Sequence, residues 1–256
     1  MTRITTIANQ KGGIGKTTTA HALCTGLTNK GYSVLAIDAD AQCNLSYGMG
    51  ANIDGKGFFD VLNNEPIKNL IQKTKQGDIL SGSKNLTGAD KKFMDYGSEY
   101  LLKKTLKSLK NKYKYIIIDT PPQLGILTIN CLIASTDVVI PITADIYAVM
   151  GLSQLIETVG KIKEHGNRSL VIAGLLLTRY NNRTVLNRKL RGSLKGSAAL
   201  MGTKLYETII RENISIREAQ LVGDSIFNHA ARSNGAKDYK SFIDEYLKDE
   251  ESISNE

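Results

Sequence analysis

Ile4-Thr5-Thr6-Ile7-Ala8-Asn9-Gln10-Lys11-Gly12-Gly13-Ile14-Gly15-Lys16-Thr17-Thr18-Thr19 carries an apolar run directly into a glycine-rich turn that ends in Gly-Lys-Thr. Three glycines open backbone conformations that other residues avoid. Successive N–H groups of Gly12, Gly13, Ile14, Gly15, Lys16, Thr17 and Thr18 can then converge on phosphate oxygens at a helix N-terminus. Lys16 is expected on the β- and γ-phosphates and the Thr17 hydroxyl on Mg²⁺. The usual pattern has its first glycine where this chain has Gln10, and the next residue, Lys11, adds a second cation. One phosphate-binding lysine suffices for one site, so Lys11 is expected to reach a second nucleotide across a dimer interface. The loop thus implies ATP or GTP.

Working outward, strand-length apolar runs recur at Ile4–Ala8, Ser33–Ile37, Tyr115–Ile118, Val138–Ile142 and Leu170–Leu177, with stretches of helical length between them. Near-continuous apolar strands alternating with helices predict an α/β fold: a doubly wound, mostly parallel sheet with helices on both faces. In such sheets ligands sit at the carboxyl ends of strands. The glycine loop, Asp38 and Asp40, Asp119 and Thr178 all fall there. Residues 51–95 have poor periodicity and read as short helices and loops around a strand near Ile79 and Leu80. Tyr239–Leu247, with Phe242, Ile243, Tyr246 and Leu247 at helical spacing, reads as a closing amphipathic helix.

The 256 residues suit one domain, expected over 1–248, with 249–256 an acidic, frayed tail. No apolar stretch approaches the roughly 20 residues of a membrane span, and the N-terminus enters a strand where a signal peptide would stand, so a cytoplasmic location is expected. Cys24, Cys43 and Cys131 are far apart and form no Cys-x-x-Cys pair, and the three histidines do not cluster with them. Metal-ligand and disulfide frameworks are thereby disfavoured, and burial as small apolar side chains is expected.

The net charge of +8 suggests a polyanionic partner. From Arg179 to Arg217 nine bases (Arg179, Arg183, Arg188, Lys189, Arg191, Lys195, Lys204, Arg211, Arg217) face only two acids, Glu207 and Glu212. Within this segment Leu186, Leu190 and Leu194 form one helical stripe, with Arg188, Arg191 and Lys195 roughly opposite. Such a face is expected to lie along DNA phosphates, without sequence specificity and with steep salt dependence. Asp119, ending Tyr-Ile-Ile-Ile-Asp, has the form of the acid that holds a Mg²⁺-bound water. Of Asp38 and Asp40, one can orient water while the other supports Mg²⁺ or the loop.

Lys11–Thr19, Ile37–Leu45, Ile117–Gly125 and Gly151–Thr158 together resemble the ParA/Soj partitioning ATPases, over nearly the whole chain. The resemblance implies a Mg²⁺-dependent, slow ATPase whose ATP-bound sandwich homodimer binds double-stranded DNA non-specifically and is released when a ParB-type partner stimulates hydrolysis. It implies that Lys11 is the signature lysine reaching the partner's phosphates, that Lys16 and Thr17 hold nucleotide and Mg²⁺, that Asp40 positions the water, and that Asp119 supports Mg²⁺. By the same resemblance Thr178, Arg179 and the segment Arg211 to Asn213 flank the base, and Arg183 with its basic neighbours touches DNA. The family commonly has Pro-Arg-Asn where this chain has Arg211-Glu212-Asn213, which leaves Arg211 between a base contact and a DNA contact. Two relatives of the loop fit less well. A membrane-surface ATPase of the MinD type needs a basic amphipathic C-terminal helix, whereas this chain ends in acids. A nitrogenase-type iron protein needs cysteines placed to bridge a cluster, and Cys43 and Cys131 lack that family's surroundings.

Overall fold

The structure is a computed structural model that describes residues 1–109, 111–181 and 185–253, of which 146–151, 185–186 and 250–253 are described as backbone only. In chain order, β1 (Arg3–Ile7) leads to α1 (Lys16–Asn29), β2 (Val34–Asp38), α2 (Asn44–Gly48) and α3 (Phe58–Leu62). A hairpin of β3 (Ile71–Thr74) and β4 (Gly77–Leu80) follows, then α4 (Ala89–Lys92), α5 (Leu101–Leu106) and β5 (Tyr115–Asp119). The second half runs α6 (Ile126–Ala134), β6 (Asp137–Thr143), α7 (Ile146–His165), β7 (Val171–Tyr180), α8 (Val185–Leu200), β8 (Leu205–Arg211), α9 (Ile214–Leu221), α10 (Ile226–His229) and α11 (Asn234–Ile253).

The eight strands form one sheet in the order β3-β4-β2-β5-β1-β6-β7-β8. Every neighbouring pair is parallel except the β3–β4 hairpin. Alternation along each strand feeds two faces. Ile7, Ala36, Ile117 and Val139 pack with α1, α10 and α11, while Leu35, Ile37, Ile116 and Ile118 pack with α5 and α6, and Val138, Ile140, Leu175 and Leu177 with α7 and α8. Each fully buried aliphatic chain contributes about 1.5–3 kcal/mol. Because central strands are covered on both sides, they read as unbroken apolar runs, and the expected doubly wound sheet is the one observed.

Registration brings the functional ends level. Both Ile7 of β1 and Asp38 of β2 lie opposite Asp119 of β5, so three loops leave the sheet at the same height.

The ends of the sheet differ from the sequence reading. β3 and β8 were not expected, and β7 continues to Tyr180. Both unexpected strands are edges, where one side meets no neighbouring strand and polar residues such as Gln72, Lys73 and Glu207 are tolerated. The chain's last helix also runs past 248 to Ile253. Asp249, expected in a frayed tail, instead pairs with Lys204 just ahead of β8, so the edge strand anchors the final turns. Residues 254–256 of that expected tail lie outside the described residues. All three cysteines are free and buried, as expected.

Candidate nucleotide site

The turn after β1 is held from below. Asn9, a residue the sequence reading passed over, donates from Nδ2 to the Pro141 carbonyl at 2.8 Å and accepts from the Lys11 amide at 3.1 Å. Thr178, at the end of β7, donates to the Ile14 carbonyl at 2.7 Å and lies 3.2 Å from the Ile142 carbonyl. Gly13 and Gly15 take φ of 71° and 92°, the left-handed region where a side chain is strained. Gly15 is the N-cap of α1 and no side chain caps it. By contrast the Asn213 side chain caps α9 by accepting from the Ser215 amide at 2.9 Å. The first amides of α1 are thus left for an outside acceptor, and the positive end of the helix dipole favours an anion there.

Lys16 is buried, and its Nζ donates to the Lys11 carbonyl at 3.1 Å. Burial lowers its pKa, opposed by the charges of Asp119 and Asp40. Asp119 is fully buried, and neither carboxylate oxygen has a hydrogen-bond partner among the described residues. Burial and the nearby charges of Asp38 and Asp40 push its pKa well up. The Thr17 hydroxyl and Lys16 pull the other way, the hydroxyl coming close without meeting hydrogen-bond geometry. A buried carboxylate without partners is costly unless something neutralises it. Its oxygens beside the Thr17 hydroxyl are hard donors of the kind Mg²⁺ takes. Among the described residues no three His, Cys, Asp or Glu side chains could hold a metal by themselves. A single carboxylate beside a hydroxyl suits Mg²⁺, which usually takes one or two carboxylates and completes its shell with phosphates and water.

Asp40 and Asp38 separate cleanly. Asp40 is half-buried, lines the cavity and, among the described residues, uses only Oδ1, accepting from the Gln42 amide at 2.9 Å. Asp38 is fully buried and accepts from the Ser46 amide, the Ser46 hydroxyl and the Asp40 amide at 2.8, 2.7 and 3.1 Å. Asp38 therefore supports the loop, and Asp40 faces the cavity.

The cavity holds about 480 Å³. Gly12, Gly13, Gly15, Lys16, Thr17 and Thr18 form one wall, Asp40 and Pro122 another, and Thr178, Arg179, Arg211, Asn213, Ile216, Gln220 and Tyr239 the far side. Ile216, Gln220 and Tyr239 were missed by the sequence reading. Gln220 donates to the Thr18 hydroxyl at 2.9 Å, joining α9 to α1. Arg211 is committed elsewhere: its Nε and NH2 donate to the two oxygens of Asp238 at 2.9 and 2.6 Å, a bidentate fork onto α11. This fork ties the cavity lining to α11. Arg179, with φ of 49°, donates to the Gly13 carbonyl at 2.9 Å.

Lys11 does not line this cavity. Its Nζ lies 2.6 Å from Asp145, whose carboxylate also accepts from the Thr143 hydroxyl at 2.5 Å. Ile14 lies buried beneath the loop, contributing its backbone carbonyl to Thr178.

The expected DNA face divides in two. On α8, Leu194 and Ala198 are buried and Arg188, Lys189 and Lys195 are exposed, while Arg191 is partly covered. Arg217 lies apart on α9, where it lines the nucleotide cavity and pairs with Glu212 at 2.9 Å. Arg183 lies outside the described residues, and the side chain of Leu186 is likewise not described.

The pattern that defines an AAA domain family matches residues 2–172. The chain is 37% identical to the sporulation initiation inhibitor protein Soj of Bacillus subtilis, over 93% of this chain and 96% of the relative. It is 34% identical to the chromosome partitioning protein ParA of Myxococcus xanthus, over 96% of this chain and 88% of that one. Among solved structures it is similar to cobyrinic acid a,c-diamide synthase of Mycobacterium smegmatis with an ATP analogue and magnesium bound. That match has 30% identity and a TM-score of 0.81, and covers 98% of this chain and 97% of the other.

Proposed function

The chain belongs to the ParA/Soj family of partitioning ATPases, and from that premise we propose that it is a DNA-segregation switch driven by ATP and Mg²⁺. In this reading ATP closes two copies into a sandwich dimer, and the dimer binds the backbone of double-stranded DNA without sequence preference. Slow hydrolysis, stimulated by a ParB-type partner, releases it. The switch operates in the cytoplasm, on the nucleoid.

The observation that carries the reading is Asp119, a buried carboxylate with no hydrogen-bond partner among the described residues, set beside Thr17, Lys16 and the uncapped start of α1. Bound Mg²⁺ would neutralise phosphate charge. Thr17 and Asp119 would hold it. Lys16 would exchange the Lys11 carbonyl for phosphate oxygens, and the amides of residues 12–18 would orient them. Asp40 has Oδ2 unpartnered among the described residues and would accept a hydrogen bond from the attacking water. Lys11 would exchange Asp145 for the phosphates of the second copy.

Two observations bear on the surface that such a dimer uses. The apolar face of α11, with Tyr239, Phe242, Ile243 and Tyr246, is buried against the sheet and is not available to a membrane surface. No helix among the described residues is long and apolar enough to cross one.

Size-exclusion chromatography with light scattering, with a non-hydrolysable ATP analogue, ADP or no nucleotide, tests the switch together with DNA retention across a salt series. The expected result is a dimer and DNA retention with the analogue alone, both lost in Lys11→Ala and Lys16→Gln. A wild-type chain that stays monomeric with the analogue overturns the reading.

A further inference from the structure

The two acids that interrupt the basic segment 179–217 are each held between two of its bases. Glu207, on edge strand β8, has one oxygen 2.8 Å from Lys195 Nζ and the other 3.3 Å from Arg191 NH2. Glu212 accepts through one oxygen from Arg217 at 2.9 Å and Arg179 at 3.3 Å. The surroundings of the two pairs differ. The Glu212 cluster borders the nucleotide cavity, whereas Glu207 meets the outer face of α8, where Arg191 and Lys195 stand one helical turn apart. Residues 185–200 contain four bases and no acid. Lys204 and Arg211 are already engaged by Asp249 and Asp238 from α11. Glu207 is therefore the acid that holds down the charge of this helix among the described residues.

We propose that Glu207 is an internal stand-in for a DNA phosphate: its carboxylate occupies the two cations of α8 that a backbone phosphate takes up on binding. This rests on the DNA-binding reading above. A carboxylate and a phosphate oxygen are both anionic acceptors for Arg and Lys, and two cations converging on one anion is a phosphate-binding arrangement. Glu207 is 69% exposed at its side chain, so exchange with an incoming phosphate meets no burial barrier. Binding then trades one ion pair for another. The carboxylate left behind regains a counterion, which offsets part of the counterion release that drives association. The consequence is a DNA affinity held below what the cations of α8 could give, and a shallower dependence on salt.

Full-length chain with the ATP analogue is titrated against random-sequence duplex DNA by fluorescence anisotropy, from low to moderate salt. Glu207→Gln is compared with Glu157→Gln, which removes the same charge from α7, where Glu157 pairs within its own helix with Lys161 at 2.7 Å. The expected result is binding tightened severalfold by Glu207→Gln and a log–log salt slope steeper by up to about 1, with Glu157→Gln close to wild type. Equal affinity in the two variants, with wild type still retained on DNA, overturns the stand-in and leaves the partitioning reading intact. Weaker binding in Glu207→Gln also overturns it, because Glu207 would then be supporting α8. Absence of DNA binding by all three proteins, in every nucleotide state, is instead a failure of the partitioning reading itself. Thermal midpoints of both variants near wild type establish that the fold is retained.

Discussion

Asp38 and Asp119 lie opposite each other at the ends of β2 and β5, both fully buried, yet one carboxylate accepts three hydrogen bonds and the other none. The difference is made by what packs on each strand end. Beyond β2 the chain turns at once into α2, and Ser46 in its first turn delivers an amide and a hydroxyl to Asp38. The Ser46 hydroxyl in turn accepts from the Gly82 amide at 2.8 Å, and a Cβ on Gly82 would come within 3.2 Å of the Asp38 carboxyl carbon. Only glycine lets the backbone after β4 approach so closely. Beyond β5 the chain runs into Thr120-Pro121-Pro122, and two prolines have no N–H to offer. Asp119 therefore faces the phosphate loop with nothing of its own to bind. Two carboxylates in one layer of one sheet are thus divided into a satisfied one and an open one by whether the following residues supply donors.

The largest expected effect breaks the ligand side of this pair. Asp119→Asn should lower ATP turnover by about 10²–10³-fold, since the charge proposed to hold Mg²⁺ is lost. In the absence of Mg²⁺ and nucleotide, however, its unfolding midpoint in urea should equal or exceed that of wild type, because an unpaired buried charge has been removed. A large loss of stability would mean that Asp119 has structural partners after all.

Asp38→Ala should behave in the opposite way. Three donors lose their acceptor, at a cost of about 3 kcal/mol or more in stability. Urea denaturation measures this, and turnover per folded molecule should fall much less than in Asp119→Asn. Comparable turnover losses in the two variants would erase the division between them.

The smallest effect sharpens the contrast through pH. The native pKa of Asp119 is raised by burial and by its acidic neighbours, so the native state holds this proton more tightly than the unfolded chain. The stability that proton gives is fully present below the unfolded value of about 3.9 and is lost as pH rises through the native value. The difference in unfolding free energy between Asp119→Asn and Mg²⁺-free wild type should therefore widen in favour of the variant as pH is raised from 4 toward 8. A constant difference across that range would remove the burial argument.

Much of this arrangement was legible in the order of residues. The five central strands are covered on both faces and announce themselves as apolar runs, and the loop glycines, Lys16, Thr17 and Asp119 lie within or directly beside them. The edge strands β3 and β8 were not legible, because one-sided pairing permits the polar residues that make such segments read as loop. The supporting residues were equally hidden. Asn9, Gln220 and Asp145 matter through partners at residues 141, 18 and 11, and nothing local marks those pairings. Arg211 shows the limit well: the sequence leaves it between base and DNA, whereas Asp238, 27 residues away, claims both arms of its fork.

What this chain determined by sequence alone is the strand, glycine turn and lysine-bearing helix that make a phosphate cradle, because those groups are consecutive and the peptide bond itself brings them together. Which charges are spent and which are kept was decided only in the tertiary structure. Asp38 is satisfied, Asp119 is left open, Lys11 is turned to Asp145 and Glu207 is set between two cations of α8. Each of these outcomes depends on where a donor or a counter-charge from a separate element arrives, and hydrogen bonds and ion pairs form only within a few ångströms, a distance that packing alone sets.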